Sequence, residues 1–358
     1  MTGALRLRSA ARGAAAAGLL AAAAGIGYSM AFVSHSMPLP HAVSGERREI
    51  DSPAGRLSYY VAGPPAAPPL LLVHSINAAA SAYEVKPVYE AFKTQRRVYA
   101  PDLPGFGFAE RSKRDYTIGL YVEAIHAVLR VIEAEHGPAG VDVLAVSLAS
   151  EFVARAATES PARFASLALV TPTGFASAAP VYSGAPGTSR EVPGLHALVS
   201  VPLWDRALFD ALTSRASIRY FLQRTFGSKD VPEDMVDYDY LSTHQPGAQH
   251  APLAFLAARL FSRDIRNVYE RLTLPVWVPH ATRGDFRNFS GADWARARAN
   301  WQFLPLPTGA MPHFEMADEF NRRYAEFLAS ARRSGAAAAA LAPVDPVAPA
   351  APAVPAGG

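Results

Sequence analysis

One serine in this chain is set for nucleophilic chemistry. Ala145-Val146-Ser147-Leu148-Ala149 joins an apolar run, Val141–Val146, to a helical run, Leu148–Thr158. A serine on a sharp strand-to-helix turn lifts its hydroxyl above the sheet edge. The helix N-terminus then points backbone N–H groups at developing negative charge. Small residues two positions to either side let such a turn pack, and here both are Ala. That is the chemistry of attack on a carbonyl. A simple helix N-cap at Ser147 satisfies the same local pattern. Downstream, Gly284-Asp285 carries a carboxylate, and the loop Gly309–Glu315 carries an imidazole at His313, 28 residues beyond Asp285.

These residues need a scaffold, and the apolar pattern supplies one. Leu57–Ala62, Leu70–Val73, Arg97–Pro101, Val141–Val146, Leu167–Val170 and Pro275–Val278 read as strands. Thr117–His136 sets Leu120, Ile125, Leu129 and Ile132 along one side of a helix. Strand and helix alternating in this way predict an α/β fold with a mainly parallel, doubly wound sheet. The rhythm breaks between Phe175 and Leu272, where helical stretches lie around Leu195–Leu212, Ile218–Phe226 and Leu253–Phe261. An insertion of about a hundred residues is too long for an ordinary connection, so an inserted helical cap is expected. The expected layout is a leading segment over 1–40, core over 41–174 and 272–333, a cap over 175–271, and a tail over 334–358. That tail is Ala/Pro-rich and reads as disordered, because repeated Pro forbids a continuous helix.

Taken in order, these features resemble the α/β-hydrolase superfamily over roughly residues 50–330. The resemblance rests on His74-Ser75-Ile76 at the family's His-Gly-x position and on Asp102-Leu103-Pro104-Gly105-Phe106-Gly107. It rests equally on the Ser147 turn, the cap-sized insertion, and the chain order Ser147, Asp285, His313. It implies Ser147 as nucleophile, His313 as general base and Asp285 as the acid that orients it. The backbone N–H groups of Leu148 and Ile76 would form the oxyanion hole, with His74 and Ser75 in support. A hydroxyl is a weak nucleophile until an imidazole takes its proton, and the resulting imidazolium needs a carboxylate.

The resemblance thus implies a serine hydrolase working through an acyl-enzyme on an ester-like or related acyl substrate, without a cofactor. Carbon–carbon hydrolases and acyltransferases keep the same residues. Two departures bear on this. Ser75 stands where glycine is usual, so a loop needing a glycine conformation would be built differently, or Ser75 would donate its own hydroxyl. Asp285 lies one residue past the commonest acid position, and without it a Ser147–His313 dyad remains. The rival reading is a non-catalytic hydrolase-fold protein that binds a ligand or partner at a membrane.

Charge and composition exclude other classes. Half of the 358 residues are hydrophobic and 18% are charged, ample for a core. The net charge of +3 is matched by Arg6, Arg8 and Arg12 alone, and residues 41–333 are nearly neutral, so no nucleic-acid-binding face is implied. No cysteine is present, and scattered His and Asp show no metal-ligand spacing. The predominantly apolar cap sequence points to an apolar small-molecule acyl substrate. Gly13–Val33 is free of charge and follows three arginines, which reads as a signal or membrane anchor exporting the rest, to the periplasmic side if the source is bacterial. Ser29-Met30-Ala31 offers the spacing of a cleavage site. An Ala-rich helix packed on the body and a transit peptide are the competing readings.

Overall fold

Apolar runs of four to six residues bounded by turns become the strands of one eight-stranded sheet in the computed structural model, which describes residue 20 and residues 23–176 and 183–341. The strands are β1 (Glu46–Ser52), β2 (Gly55–Ala62), β3 (Pro69–Val73), β4 (Arg97–Asp102), β5 (Val141–Val146), β6 (Phe164–Val170), β7 (Val276–Ala281) and β8 (Trp301–Leu306). Their order across the sheet is β1-β2-β4-β3-β5-β6-β7-β8. The pairings of β2 with β1 and with β4 are antiparallel, and the other five are parallel. β5 is buried at every position, as a central strand covered on both faces must be.

Two apolar layers sandwich the sheet. On one face, helices α3 (Ile118–His136) and α4 (Ala149–Glu159) pack Tyr121 on Phe152, with ring centroids 4.9 Å apart. On the other, α2 (Lys86–Phe92) and α13 (Ala317–Leu341) enclose Trp277, which stacks on Tyr324 at 5.5 Å. Thr117 caps α3 by accepting the Leu120 N–H, and Gly137 ends it at φ +81.

Two strands escape the sequence pattern, and both are sheet edges. β1 reads Glu-Arg-Arg-Glu-Ile-Asp-Ser, with charges along its open side, and β8 contains Pro305, which an edge strand tolerates. The stretch between β6 and β7 holds α5 (Leu195–Val199), α6 (Asp205–Leu212), α7 (Arg215–Phe226), α8 (Glu233–Thr243), α9 (His250–Leu256) and α10 (Ile265–Glu270). The first helix expected there breaks in two at Pro202. α8 was absent from the expected pattern. Its buried face carries Asp239, Ser242 and Thr243 beside Met235, Val236 and Tyr238, so polar and apolar residues are not sorted onto separate faces. α10 packs on the core rather than the cap, with Tyr269 stacked on Phe175 at 5.2 Å.

The expected tail needs correction at its start. Helix α13 runs on through the Ala run to Leu341, because Ala is the strongest helix former and the first proline comes only at Pro343. Residues 342–358 lie outside the described residues. At the other end, residues 13–19, 21 and 22 of the expected anchor also lie outside them. Residues 23–32 form a helix, α1. Among the described residues no helix is long and apolar enough to cross a membrane. The end of α1 is tied to the body: Ser29 Oγ donates to Asp210 Oδ2 of α6 at 2.5 Å, and His35 Nε2 lies 2.9 Å from Asp210 Oδ1.

Candidate active site

The β3–β5 register pairs Val73 with Ala145. The strands are parallel, so the loops that follow them, with Ser75 and Ile76 after β3 and Ser147 and Leu148 after β5, leave the same edge of the sheet. Ser147 adopts φ +53, a left-handed conformation that costs a non-glycine residue about 1–2 kcal/mol. The turn is held from both sides. Its N–H donates to the Val170 carbonyl at 2.9 Å, and its carbonyl accepts the Ser150 N–H at 3.1 Å. Its hydroxyl is partly exposed and bonds to no described residue. Such retained strain at a sheet edge marks functional positions. A plain N-cap would instead have its hydroxyl on the helix N–H groups, and α4 receives no side-chain cap bond.

The backbone N–H groups of Leu148 and Ile76 donate to no described residue, although both residues are buried. Buried, unpaired N–H groups are rare, and here one follows Ser147 directly and the other lies in the loop that leaves the neighbouring strand β3. Ser75 does not need glycine, since among the described non-glycine residues only Ser147, Thr171 and Ala258 have positive φ. Its hydroxyl is not free for a substrate either: it donates to Glu84 Oε1 at 3.0 Å. His74 braces the strand end, donating from Nδ1 to the Ser75 carbonyl at 2.6 Å and accepting the Leu103 N–H on Nε2 at 2.9 Å. Burial pushes its imidazole down to about 4, so it is neutral. Asp102 likewise braces its turn, accepting the Ala82 and Phe108 N–H groups at 2.9 Å each.

His313 opens the short helix α12 (Pro312–Glu315) and is wholly buried. Its Nε2–H donates to the Glu84 carbonyl at 2.6 Å, while Nδ1 has no partner among the described residues. Burial holds this imidazole down at about 4, leaving it neutral with a free lone pair. No hydrogen bond links it to Ser147.

The expected acid is placed elsewhere. Asp285 is half exposed, and its Oδ2 lies 2.6 Å from Arg224 Nε of α7, so the carboxylate ties its loop to the cap instead of reaching His313. The reason is the turn at Gly284, φ +75, where the loop presses on Gly227 and turns outward.

Sequence reasoning missed three polar groups at this edge. Thr171, φ +44, follows β6, the strand paired with β5, and its buried hydroxyl has no partner among the described residues. Glu84 is buried in the 3-10 turn Ala82–Val85. Asp239 of α8 is buried opposite it, and burial together with the Glu84 charge raises its carboxyl well above the usual range. An acid inside the otherwise apolar run Ala78–Val85 was the available signal for Glu84. Among the described residues no group of His, Asp and Glu could hold a metal.

With this geometry in view, comparison with known proteins is consistent throughout. Residues 68–194 match the family model of the alpha/beta hydrolase fold. A 2-hydroxymuconate semialdehyde hydrolase of Pseudomonas putida is 26% identical over 221 residues, covering 60% of this chain and 76% of that protein. A meta-cleavage product hydrolase from Pseudomonas fluorescens superposes with a TM-score of 0.60 at 18% identity, over 79% of this chain and 98% of that one. A bacterial membrane phospholipase A does so with a TM-score of 0.59 at 18% identity, over 92% and 98%. The strand order, the sheet-edge serine turn and these matches agree: the chain has the α/β-hydrolase fold.

Proposed function

We propose that the protein is a serine hydrolase that cleaves an ester-like or related acyl substrate through an acyl-enzyme on Ser147. The observation that carries this reading is the left-handed turn at Ser147, its hydroxyl unbonded among the described residues, with the unpaired N–H groups of Leu148 and Ile76 in the loops that leave the same sheet edge. In this mechanism Ser147 Oγ attacks the carbonyl carbon, and the oxyanion is received by the Ile76 and Leu148 N–H groups. His313 takes the hydroxyl proton on an unprotonated nitrogen and returns it to the leaving group; water then releases the acyl group. Nδ1 is the nitrogen with the free lone pair here, so the imidazole must turn from Glu84 toward Ser147 before it can act. With Asp285 committed to Arg224, the reading is a Ser147–His313 dyad.

The related proteins include a carbon–carbon hydrolase and a phospholipase, which share carbonyl attack and differ in leaving group. The neutral body and the apolar cap favour an uncharged acyl chain. Export or membrane attachment through residues 13–33 is part of the proposal. Tyr28, Met30 and Phe32 of α1 support it, being 63%, 80% and 77% exposed, an apolar surface that water does not favour. Two observations favour a non-catalytic binding protein: His313 bonds Glu84 and not Ser147, and Asp285 bonds Arg224. A fluorophosphonate probe decides between the two. Labelling that disappears in Ser147→Ala and His313→Ala supports the hydrolase; a folded protein that takes no label favours the binder.

A further inference from the structure

Glu84 touches both halves of the candidate machinery. Its carboxylate accepts the Ser75 N–H at 2.7 Å on Oε2, and on Oε1 the Ser75 hydroxyl at 3.0 Å and Asn77 Nδ2 at 2.7 Å. Asn77 is itself fixed, since its Oδ1 accepts the Ala79 N–H at 2.7 Å and its Nδ2 also reaches Ser75 Oγ at 2.9 Å. The loop that presents the Ile76 N–H is thus bound at three points to one buried side chain. The carbonyl of the same residue holds His313 Nε2 at 2.6 Å. Glu84 sits in a one-turn 3-10 helix whose start is fixed by Ser81, which accepts the Tyr83 N–H, and by Asp102, which accepts the Ala82 N–H.

We propose that Glu84 is the positioning residue of this site, its carboxylate fixing the oxyanion loop through Ser75 and Asn77 while its carbonyl fixes the resting place of His313. The role rests on the serine-hydrolase reading and goes beyond it, because no conventional triad position contains this glutamate. Placement from one residue makes the two parts move together: a shift of the 3-10 turn displaces both the oxyanion donor and the base. The cap bears on that turn directly. Tyr83 stacks on Tyr238 of α8 at 4.7 Å and donates its hydroxyl to Asp234. Asp239, one residue on, faces the Glu84 carboxylate without a hydrogen-bond partner among the described residues. Motion of the cap is therefore transmitted to the loop and the imidazole through Glu84. Burial raises the Glu84 carboxyl, and the bonds from Ser75 and Asn77 oppose that shift and favour its charged form.

Glu84→Gln tests this. An amide must turn its NH2 group toward either the Ser75 N–H or the Asn77 amide, so at least one bond of the cluster is lost. A donor displaced by about 1 Å can cost about a hundredfold in rate. The expected result is a fall of roughly 30- to 100-fold in kcat and in fluorophosphonate labelling, with KM within about threefold. A purely structural role would instead lower the amount of active protein and leave the labelling rate of the folded fraction unchanged. Ser75→Ala removes one bond of the three and should cost about three- to tenfold, which keeps the test open if Glu84→Gln does not fold. Glu90→Gln, on the half-exposed pair with Lys93, serves as the control and should label at the wild-type rate. Labelled wild type with Glu84→Gln and Ser75→Ala labelled equally fast would overturn the proposal alone. Wild type that takes no label would overturn the hydrolase reading, and the proposal with it.

Discussion

Asp285→Asn separates two accounts of the same site. In a triad the carboxylate holds the imidazole in its working tautomer, and its amide replacement costs about ten-thousandfold in kcat. In the structure Asp285 Oδ2 bonds Arg224 at 2.6 Å, with both side chains about half exposed. Such a pair is screened by water and contributes little to stability. His313, by contrast, is fully buried, and among the described residues it bonds only the Glu84 carbonyl and has no carboxylate on Nδ1. Losing the Asp285 charge should therefore leave kcat and KM within about threefold of wild type and Tm within about 2 °C. The assay is turnover of short-chain p-nitrophenyl esters alongside the fluorophosphonate labelling rate, with His313→Ala measured in parallel. A hundredfold or greater loss of kcat in folded Asp285→Asn would refute the placement of this carboxylate and restore the triad.

Three other perturbations probe the frame around the serine. Ser147→Gly should abolish labelling while raising stability by up to about 1 kcal/mol, because left-handed strain is relieved but glycine entropy is added; thermal unfolding checks this. Gly107→Ala should destabilise by roughly 2–4 kcal/mol, since a Cβ there would lie 1.9 Å from Asp102 Cγ, and denaturant unfolding measures it. Glu151, buried one turn after Ser147, bonds the Thr173 hydroxyl and the Ser262 N–H, and burial raises it to about 7. The folded protein then keeps a proton that the unfolded chain releases above about 4.5, so this carboxyl's stabilising contribution falls as pH rises toward about 7. Relative to wild type, Glu151→Gln should gain up to about 3 kcal/mol across that window, and Tm measured against pH would show no relative gain if the carboxyl titrates normally.

The part of this molecule that could be read in advance is local or periodic. The Ser147 turn announces itself because strand, small residue and helix are contiguous. The central strands do so because burial on both faces leaves runs such as Leu70–Val73. What escaped depends on contacts distant in the chain. Gly284-Asp285 has the right chain order, but the direction of its carboxylate is decided by Arg224, 61 residues earlier in the cap. Ser75 looked like a departure from glycine, and its meaning emerges only with Glu84, nine residues on. Strand β1 lacks an apolar run because a sheet edge needs none, the run of β8 is broken by Pro305, and α8 lacks a clean stripe because its buried face carries Asp239, Ser242 and Thr243. The Ala run after Ser334 stays helical despite the prolines behind it, because helix propensity acts before the first of them is reached.

The central claim is a nucleophile at Ser147. Incubating the full chain with a fluorophosphonate and locating the adduct by peptide mass mapping tests it most directly. The account predicts a single adduct on Ser147, absent in Ser147→Ala and strongly slowed in His313→Ala. A folded wild-type protein without adduct, or with the adduct on another serine, would contradict it.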